Sequence, residues 1–386
     1  MQGKNKTYSL DSQPSGAHRG SRGRMVRNWI ILLVLLAVAL SAFRLLGNVG
    51  KTTEIGASRL TCFASQDVTP FGDSVLYYDG ASIHCLSDVG AIRWSFPVGS
   101  GASFSCSDTH LVIWQGTQMY IVDKNGRPSY NEALDAEIQF ARVGSKYAAV
   151  IIGPDTQPEL LMKDLEGAQV DEESEAFQGM LLMDVGFYGE QDQYLWTLAM
   201  DVYGTALNSV LNTFQVGKMN MGQASLGTKL AYRVLYENNK LRAFTTQQLY
   251  SYNYKAVQDT NDTMLVYGWK LIDSYIPERG SANLLLAPTS QTNNSQVITE
   301  LRLLAGETDR RFTLPSTCVG AMSRAGSVYA FSDKYIYRAN VGEQRFFAYA
   351  VPLPEGEQVT AYIGKLSSGR VLLASGETVY SVSLPQ

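Results

Sequence analysis

Residues 74–90 read SVLYYDGASIHCLSDVG and residues 110–126 read HLVIWQGTQMYIVDKNG, two versions of one pattern. When position 74 is placed on position 110, Gly80 falls on Gly116 and Gly90 on Gly126, and the apolar residues between them keep the same alternating phase. Alternating apolar runs joined by a short turn with a glycine predict a β-hairpin. Self-similarity at such a period is typical of β-repeat proteins, so the sequence predicts an array of hairpins.

Further copies of this hairpin follow along the chain, and together with the first two they make eight. Their paired runs are 147–153 with 159–167, 193–200 with 209–216, 241–246 with 249–254, 283–287 with 297–304, 327–333 with 334–342, and 370–375 with 378–383. Each hairpin is preceded by a candidate innermost strand, for example 67–71, 138–143 or 264–269. Most are also followed by a candidate outer strand, so the unit has four strands, as in a propeller blade.

The pattern predicts an all-β fold, an eight-bladed β-propeller that follows a single N-terminal transmembrane helix. The last hairpin has no outer strand left, whereas residues 58–63 form a spare strand before the first blade. A propeller ring has to close to protect its edges, so we expect 58–63 to complete the final blade. Seven blades is the alternative count, because the region 177–260 diverges from the repeat, and a β-sandwich is the alternative fold.

The composition agrees with a globular all-β domain. Hydrophobic residues make up 45% and charged residues 18% of the 386 residues, which is enough apolar surface for a core. The many glycines and tyrosines suit short strands joined by tight turns. The net charge of −4 offers no electrostatic basis for binding nucleic acid, since phosphate binding needs a clustered basic face.

The N-terminal segment contains an apolar run, WIILLVLLAVALSAF at residues 29–43, that predicts a membrane-spanning helix over 28–46. Basic residues precede this run against the single acidic residue Asp11, which favours a cytoplasmic N-terminus. We therefore expect a basic disordered tail at 1–27, a transmembrane helix at 28–46, a linker at 47–57 and an extracytoplasmic propeller at 58–386. The alternative is a cleaved signal peptide, because small residues at 37–42 would permit cleavage.

Residues that could carry catalysis or bind a metal are sparse. The folded part has two histidines, His84 and His110, at non-equivalent positions of the repeat and outside any nucleophile motif, so a hydrolase triad is not expected. The cysteines have no CxxC spacing for zinc, although an exported domain could form one or two disulfides. They are Cys62, Cys85, Cys106 and Cys318. We predict no catalytic residue, no metal site and no cofactor.

Aromatic and polar residues that stand out from the repeat are the candidate contacts to a ligand or partner. The stretch YSYNY places Tyr250, Tyr252 and Tyr254 on one face of a strand, where a row of rings could stack on sugars or on an extended partner. Packing between blades is the alternative role for these rings. The insertion TSQTNNSQ at 289–296 adds Asn293 and Asn294, and with residues 217–227 it departs furthest from the repeat. Such departures are common contact sites in propellers.

The template at 72–94 resembles the repeat of quinoprotein-like (PQQ-type) propellers, with Asp79 and Gly80 after the first strand of the hairpin and Trp94 four residues beyond Gly90. The chain is also similar to membrane-anchored propeller proteins of Gram-positive bacteria, which share a short basic tail, a single helix and a β-rich ectodomain. The match covers 72–126 and 327–383. The resemblance implies that an aromatic residue docks between blades, here Trp94, with Tyr130 and Phe346 at the equivalent positions. Motifs for the calcium and quinone ligands of the dehydrogenases are missing from the sequence, so no enzymatic activity is implied.

The expected function is a non-catalytic one. We expect a membrane-anchored propeller that acts outside the cytoplasm as a protein-interaction scaffold of the cell envelope, with an envelope protein as its partner. The alternative is a carbohydrate- or ligand-binding sensor domain that uses surface aromatics. An enzyme acting in the central channel is a third hypothesis, which the scarcity of histidines and of clustered acid–base groups disfavours.

Overall fold

The repeated hairpin recurs in every sheet of the computed structural model, which describes residues 55–277, 280–294 and 297–386. These residues form eight four-stranded antiparallel sheets. We name the strands of each sheet A to D from the inside outwards, and A strands of neighbouring sheets meet around a central channel. The fold is an eight-bladed β-propeller, as the repeat predicts. The seven-bladed and sandwich alternatives are therefore wrong.

The first four blades follow one another along the chain. Blade 1 is β2 (Thr69–Phe71), β3 (Ser74–Tyr78), β4 (Ser82–Ser87) and β5 (Ile92–Pro97). Blade 2 is β6 (Ser103–Cys106), β7 (His110–Gln115), β8 (Gln118–Asp123) and β9 (Pro128–Ala133). Blade 3 is β10 (Ile138–Val143), β11 (Tyr147–Ile152), β12 (Glu159–Asp164) and β13 (Gln169–Glu173). Blade 4 is β14 (Leu181–Tyr188), β15 (Tyr194–Asp201), β16 (Asn208–Gln215) and β17 (Met219–Gly227), with short 3₁₀ helices at Glu175–Phe177 and Glu190–Asp192.

The last four blades complete the ring. Blade 5 is β18 (Ala231–Glu237), β19 (Lys240–Thr245), β20 (Gln248–Tyr252) and β21 (Met264–Leu265). Blade 6 is β22 (Trp269–Tyr275), β23 (Asn283–Pro288), β24 (Ile298–Ala305) and β25 (Thr308–Cys318), with helix α1 (Thr289–Asn294) between its middle strands. Blade 7 is β26 (Gly320–Arg324), β27 (Ser327–Phe331), β28 (Tyr335–Asn340) and β29 (Phe347–Ala350). Blade 8 is β30 (Ala361–Lys365), β31 (Arg370–Ser375), β32 (Thr378–Ser383) and β1 (Ala57–Phe63).

The ring closes through β1, the first strand in the described chain. It pairs antiparallel with β32, from Ala57 opposite Val382 to Phe63 opposite Thr378. Its inward residues Leu60 and Cys62 are buried against blades 8 and 1. This confirms that the spare strand predicted at 58–63 completes the final blade.

The hydrophobic core is divided among the interfaces between blades. Eight buried clusters each join residues of two adjacent blades. Leu111 belongs to the cluster with blade 1, whereas its neighbour Val112 belongs to the cluster with blade 3. Middle strands are thus covered on both faces, which explains why they read as continuous apolar runs in the sequence.

Aromatic residues of the outer strands dock on glycines of the next blade. The indole of Trp94 lies over Gly126, and its Nε1 donates a hydrogen bond of 3.0 Å to the Lys124 carbonyl. The ring of Tyr130 lies over Gly167 in the same way. These two contacts reproduce the docking that the repeat resemblance implies.

Two segments differ from the sequence-based assignment. Residues 264–269 were expected to form an inner strand, but a turn closed by the hydrogen bond from Trp269 N–H to the Val266 carbonyl divides them between β21 and β22. Residues 217–227, expected to depart from the repeat, mostly form β17, which pairs with β16 along its length through two register shifts. The bulges accommodate the irregular sequence within an ordinary outer strand.

The antiparallel arrangement gives the propeller two distinct faces. The loops from A to B and from C to D strands lie on one side, which we call the A–B face; the B–C loops and the links between blades lie on the other, the B–C face. The Gly56 N–H donates to Ser383 Oγ at 2.8 Å, so the described chain enters and leaves on the A–B face. No helix within the described ranges is long and apolar enough to cross a membrane. The predicted span at 28–46 lies outside those ranges.

Candidate functional site

Inner strands of five blades carry a β-bulge at the same point. The residues that resume the pairing after each bulge are Phe140, Asp184, Arg233, Asp273 and Gly364. A bulge bends its strand and re-aims the side chains beside it. Charged residues of blades 4, 5 and 6 therefore recur at one register level of the channel wall, a feature that the hairpin pattern alone did not reveal.

Asp273 organises a polar network that joins the inner strands of blades 6, 7 and 8. Its carboxylate accepts from Lys365 Nζ at 2.8 and 2.9 Å and from the N–H and Oγ of Ser323 at 2.7 and 3.2 Å. Lys365 also donates to the Ser274 carbonyl at 2.8 Å. Burial, and then the Asp273 charge, raise the pKa of Tyr362. The network links the inner strands of three blades, and it occupies the N–H donors of Lys365.

The mouth of the channel on the A–B face holds a cavity of about 440 Å³, which we call the mouth cavity. It is lined by the ends of the inner strands of blades 6, 7 and 8 and by Asp108 from the A–B loop of blade 2. Arg324, Lys365 and Arg370 supply positive charge, and buried Met322 and Leu366 supply apolar walls. A cavity of this size, with few convergent polar groups, is suited to a ligand group.

A second cavity of about 490 Å³, the side cavity, adjoins it between blades 1 and 2. Asp108 and Ser367 line both cavities, so the two are continuous along the A–B face. Lys124 and Arg93 bring positive charge to the side cavity, and Arg93 donates to Ser74 Oγ at 2.7 Å. The combined groove draws on five blades that are far apart in the sequence.

The three tyrosines predicted as contacts have unequal exposure. Tyr250 and Tyr252 are only 4% and 3% exposed and belong to the cluster between blades 4 and 5. Tyr254 lies beyond the end of β20, on the A–B face, and is 44% exposed. The rings of Tyr250 and Tyr252 therefore pack between blades, and Tyr254 is the one of the three that is exposed to solvent. A contact role for these residues stays a prediction.

The predicted asparagines lie on the opposite face. Asn293 and Asn294 belong to α1, which forms the B–C loop of blade 6. Asn293 is exposed, and its Oδ1 accepts from Lys270 Nζ at 3.4 Å. The structure thus does not bring the asparagines and Tyr254 into one site, because they lie at opposite ends of the blades.

A row of stacked tyrosines, absent from the sequence-based prediction, supports Tyr254. Tyr188 stacks on Tyr194 with ring centres 5.3 Å apart and meets Tyr236 at 4.9 Å, while Tyr194 meets Tyr254 at 6.2 Å. Three members of the row are strand residues that flank the A–B loops of blades 4 and 5, and Tyr254 comes from the C–D loop of blade 5. Tyrosines flanking the A–B turns of both blades were the available signal, at residues 188, 194 and 236.

His84, on strand β4 of blade 1, links a serine of the neighbouring strand β5 to an aspartate of the B–C turn. Its Nδ1 is 2.7 Å from Ser95 Oγ, and its Nε2 is 2.8 Å from Asp79 Oδ2. The hydrogen bond from His84, with backbone donors, lowers the pKa of Asp79 to about 2. These are the groups of a hydrolase triad, but Ser95 is exposed on an edge strand and lines neither cavity. The register that sets Ser95 opposite His84 was the signal that sequence reasoning missed.

The remaining reactive side chains are dispersed. His110 begins β7, where partial burial lowers its pKa. All four cysteines are unpaired thiols, and burial raises the pKa of Cys62 to about 11 and that of Cys318 to about 12. Within the described ranges, no cluster of three or more His, Cys, Asp and Glu side chains could hold a metal ion.

Comparisons with known proteins identify the fold. No family model and no curated protein matches the sequence. The chain is similar to BamB from Moraxella catarrhalis, with 10% identity over 85% of this chain and 98% of that one and a TM-score of 0.52. It is also similar to Sqt1 from Saccharomyces cerevisiae, with 11% identity over 86% of this chain and 100% of that one and a TM-score of 0.54. At such identities the likeness establishes the fold alone.

The likeness to BamB, a propeller of PQQ-like repeats, agrees with the repeat resemblance. The relation to the membrane-anchored proteins of Gram-positive bacteria stays a prediction.

Proposed function

We propose that this chain is a membrane-anchored propeller that acts outside the cytoplasm as a non-catalytic protein-interaction scaffold of the cell envelope. The observation that carries the proposal is the continuous groove on the A–B face, built by loops of five blades on a rigid closed ring. Rigid rings with broad loop-built faces suit contacts with protein partners. The structural neighbours are propellers as well, which supports an interaction role at the level of the fold.

The membrane location rests on the apolar run at 29–43 and its basic flank. It is tested by adding protease to intact cells or protoplasts, which should remove the propeller and leave a small membrane-bound stub. A reporter fused to the C-terminus should be active outside the cytoplasm. Activity of that reporter in the cytoplasm alone would disprove the orientation.

The scaffold role is tested by crosslinking intact membranes and identifying proteins that co-purify with the chain. Replacing 289–296 with a two-residue turn removes α1 from the B–C face, and we expect the variant to fold but to lose any partner that uses that face. His84→Ala and His110→Ala serve as controls and should leave the crosslinks unchanged. Loss of function in a folded His84→Ala or Ser95→Ala variant, with hydrolysis of an ester probe by the wild type, would favour an enzyme instead.

A ligand-binding sensor is the second candidate function, and the exposure of Tyr254 at the end of the tyrosine row favours it. Aromatic faces stack on the apolar faces of ligands such as sugars. A glycan array should then show binding that Tyr254→Ala abolishes. The matched control is Tyr267→Ala, because Tyr267 is 72% exposed in the link between blades 5 and 6, on the B–C face.

A further inference from the structure

The mouth cavity contains positive charge that no ion pair neutralises. Within the described ranges the side chain of Arg324 has no hydrogen-bond or ion-pair partner. Arg370 donates to neutral oxygens, among them Ser381 Oγ at 2.8 Å and the Ser381 carbonyl at 2.6 Å. Lys365 differs, since it is paired with Asp273. Two uncompensated guanidinium groups at one cavity wall favour an anionic ligand group.

The guanidinium of Arg324 is held in place by packing and not by hydrogen bonds. It lies against Gly369, in the A–B loop of blade 8, where a Cβ atom would overlap it. Gly369 has φ +90°, a conformation that also favours glycine. The arginine is therefore positioned while its N–H groups stay available, and such preorganisation lowers the entropic cost of binding a carboxylate.

The side cavity extends this site away from the channel. Lys124 lies there, exposed and without a side-chain partner in the described part of the chain. Asp108, at the junction of the two cavities, also has no side-chain partner there. The groove therefore has positive charge at Arg324 in the mouth cavity and negative charge at Asp108 at the junction. In the side cavity, Arg93 and Lys124 supply two positive charges and Asp73 supplies one negative charge.

We propose that this groove binds an extended acidic segment of a partner protein, with carboxylates at Arg324 and Lys124 and a neutral or basic residue at Asp108. A peptide can alternate its charge in this way, whereas nucleic acid or an anionic membrane would place negative charge over Asp108 as well. The inference rests on the proposed scaffold function and specifies its partner.

The test is fluorescence anisotropy of the full-length protein with a labelled peptide of sequence EEGSGEE, compared with KKGSGKK. We expect the acidic peptide alone to bind at low salt. Arg324→Gln should weaken binding about tenfold, because a charged hydrogen bond is lost, and Lys124→Gln about threefold, because that site is exposed. Asp108→Asn should strengthen binding about twofold by removing a repulsive charge. The control Lys334→Gln makes the same charge change on the B–C face and should bind like the wild type.

Several outcomes would overturn the inference. These are equal binding of both peptides, no binding of EEGSGEE, or equal weakening by Lys124→Gln and Lys334→Gln. If Arg324→Gln fails to fold, Lys124→Gln and Asp108→Asn still test the inference, because both positions are exposed and their substitution should not affect folding. The basic tail at 1–27 is present in every variant, so any peptide binding by the tail adds equally to each measurement. Crosslinking distinguishes the two proposals. If partners still crosslink to an Arg324→Gln variant, the scaffold function stands and the proposed binding of an acidic segment is wrong.

Discussion

Trp94 and Gly126 show how single residues set the spacing between blades. A Cβ atom on Gly126 would lie 2.6 Å from Trp94 Cγ, and Gly126 has φ +80°. The same blade contains Gly116, at φ +58° in a B–C turn, where a Cβ would meet nothing within 4 Å. Both glycines have positive φ in a turn of blade 2, and only Gly126 has an indole docked on it.

We predict that Gly116→Ala costs about 1 kcal/mol of unfolding free energy, from its left-handed backbone alone. Gly126→Ala should cost about 2–4 kcal/mol, because the indole must also move and lose its hydrogen bond to the Lys124 carbonyl. Urea denaturation measures both values. Equal costs would show that the indole contributes nothing to the interface between blades 1 and 2.

Among the elements, the long C–D loop of blade 5, residues 253–263, is tied to strand β19 by charge. Asp262 accepts from Lys240 Nζ at 2.8 Å and from Arg242 Nη1 at 2.8 Å, while Arg242 Nε also donates to Glu237 at 2.7 Å. Burial alone would raise the pKa of Asp262, but these hydrogen bonds outweigh burial and lower it. The carboxylate therefore stabilises the folded loop while it is ionised.

We predict that Asp262→Asn lowers the unfolding free energy by about 1–3 kcal/mol at pH 7. The lowered pKa means that this stabilisation is present above the ordinary aspartate pKa, about 4, and is lost as pH falls below it. The unfolding free energies of wild type and variant should therefore converge in acid. Urea denaturation at pH 7 and pH 3 measures this. Asp155→Asn, an exposed aspartate in a B–C loop, is the control and should leave stability unchanged. A gap that is the same at both pH values would contradict the prediction.

Elements with a strong period were predictable from the sequence, whereas contacts between blades were not. Strand β10 was predicted at its observed bounds, 138–143, because alternation and length are local properties. The run 264–269 was misassigned because its apolar residues outweighed the one turn signal within it, Gly268, which has φ +78° in the turn that begins at Val266. The groove was not predicted at all. Asp108 of blade 2 lines the same cavity as Arg324 of blade 7 because the ring closes between blades 8 and 1, and no local pattern encodes that closure.

At the scale of the whole molecule, stability depends on the first strand in the described chain joining the last. Residues of β1 and β32 are more than 300 positions apart in sequence, yet they form one blade. Leu60 and Cys62 complete the buried cluster with Leu372 and Val379 of blade 8 and with Val75 of blade 1. Without β1, this cluster opens and β32 becomes an unpaired edge.

We predict that a chain beginning at Gln66 is less stable than one beginning at Leu46 by at least about 5 kcal/mol, from lost apolar burial and strand pairing. Leu60→Ala in the longer chain should cost about 2–5 kcal/mol, because it removes burial while keeping the strand paired. The longer chain should be a folded monomer with a single melting transition, whereas the shorter one should associate through its exposed edge at micromolar concentration. Melting and sedimentation of the three chains measure these effects. Equal melting temperatures for the chains that begin at Leu46 and Gln66 would mean that the ring does not depend on β1, since removal of a closing strand must weaken every blade that the closure holds in register.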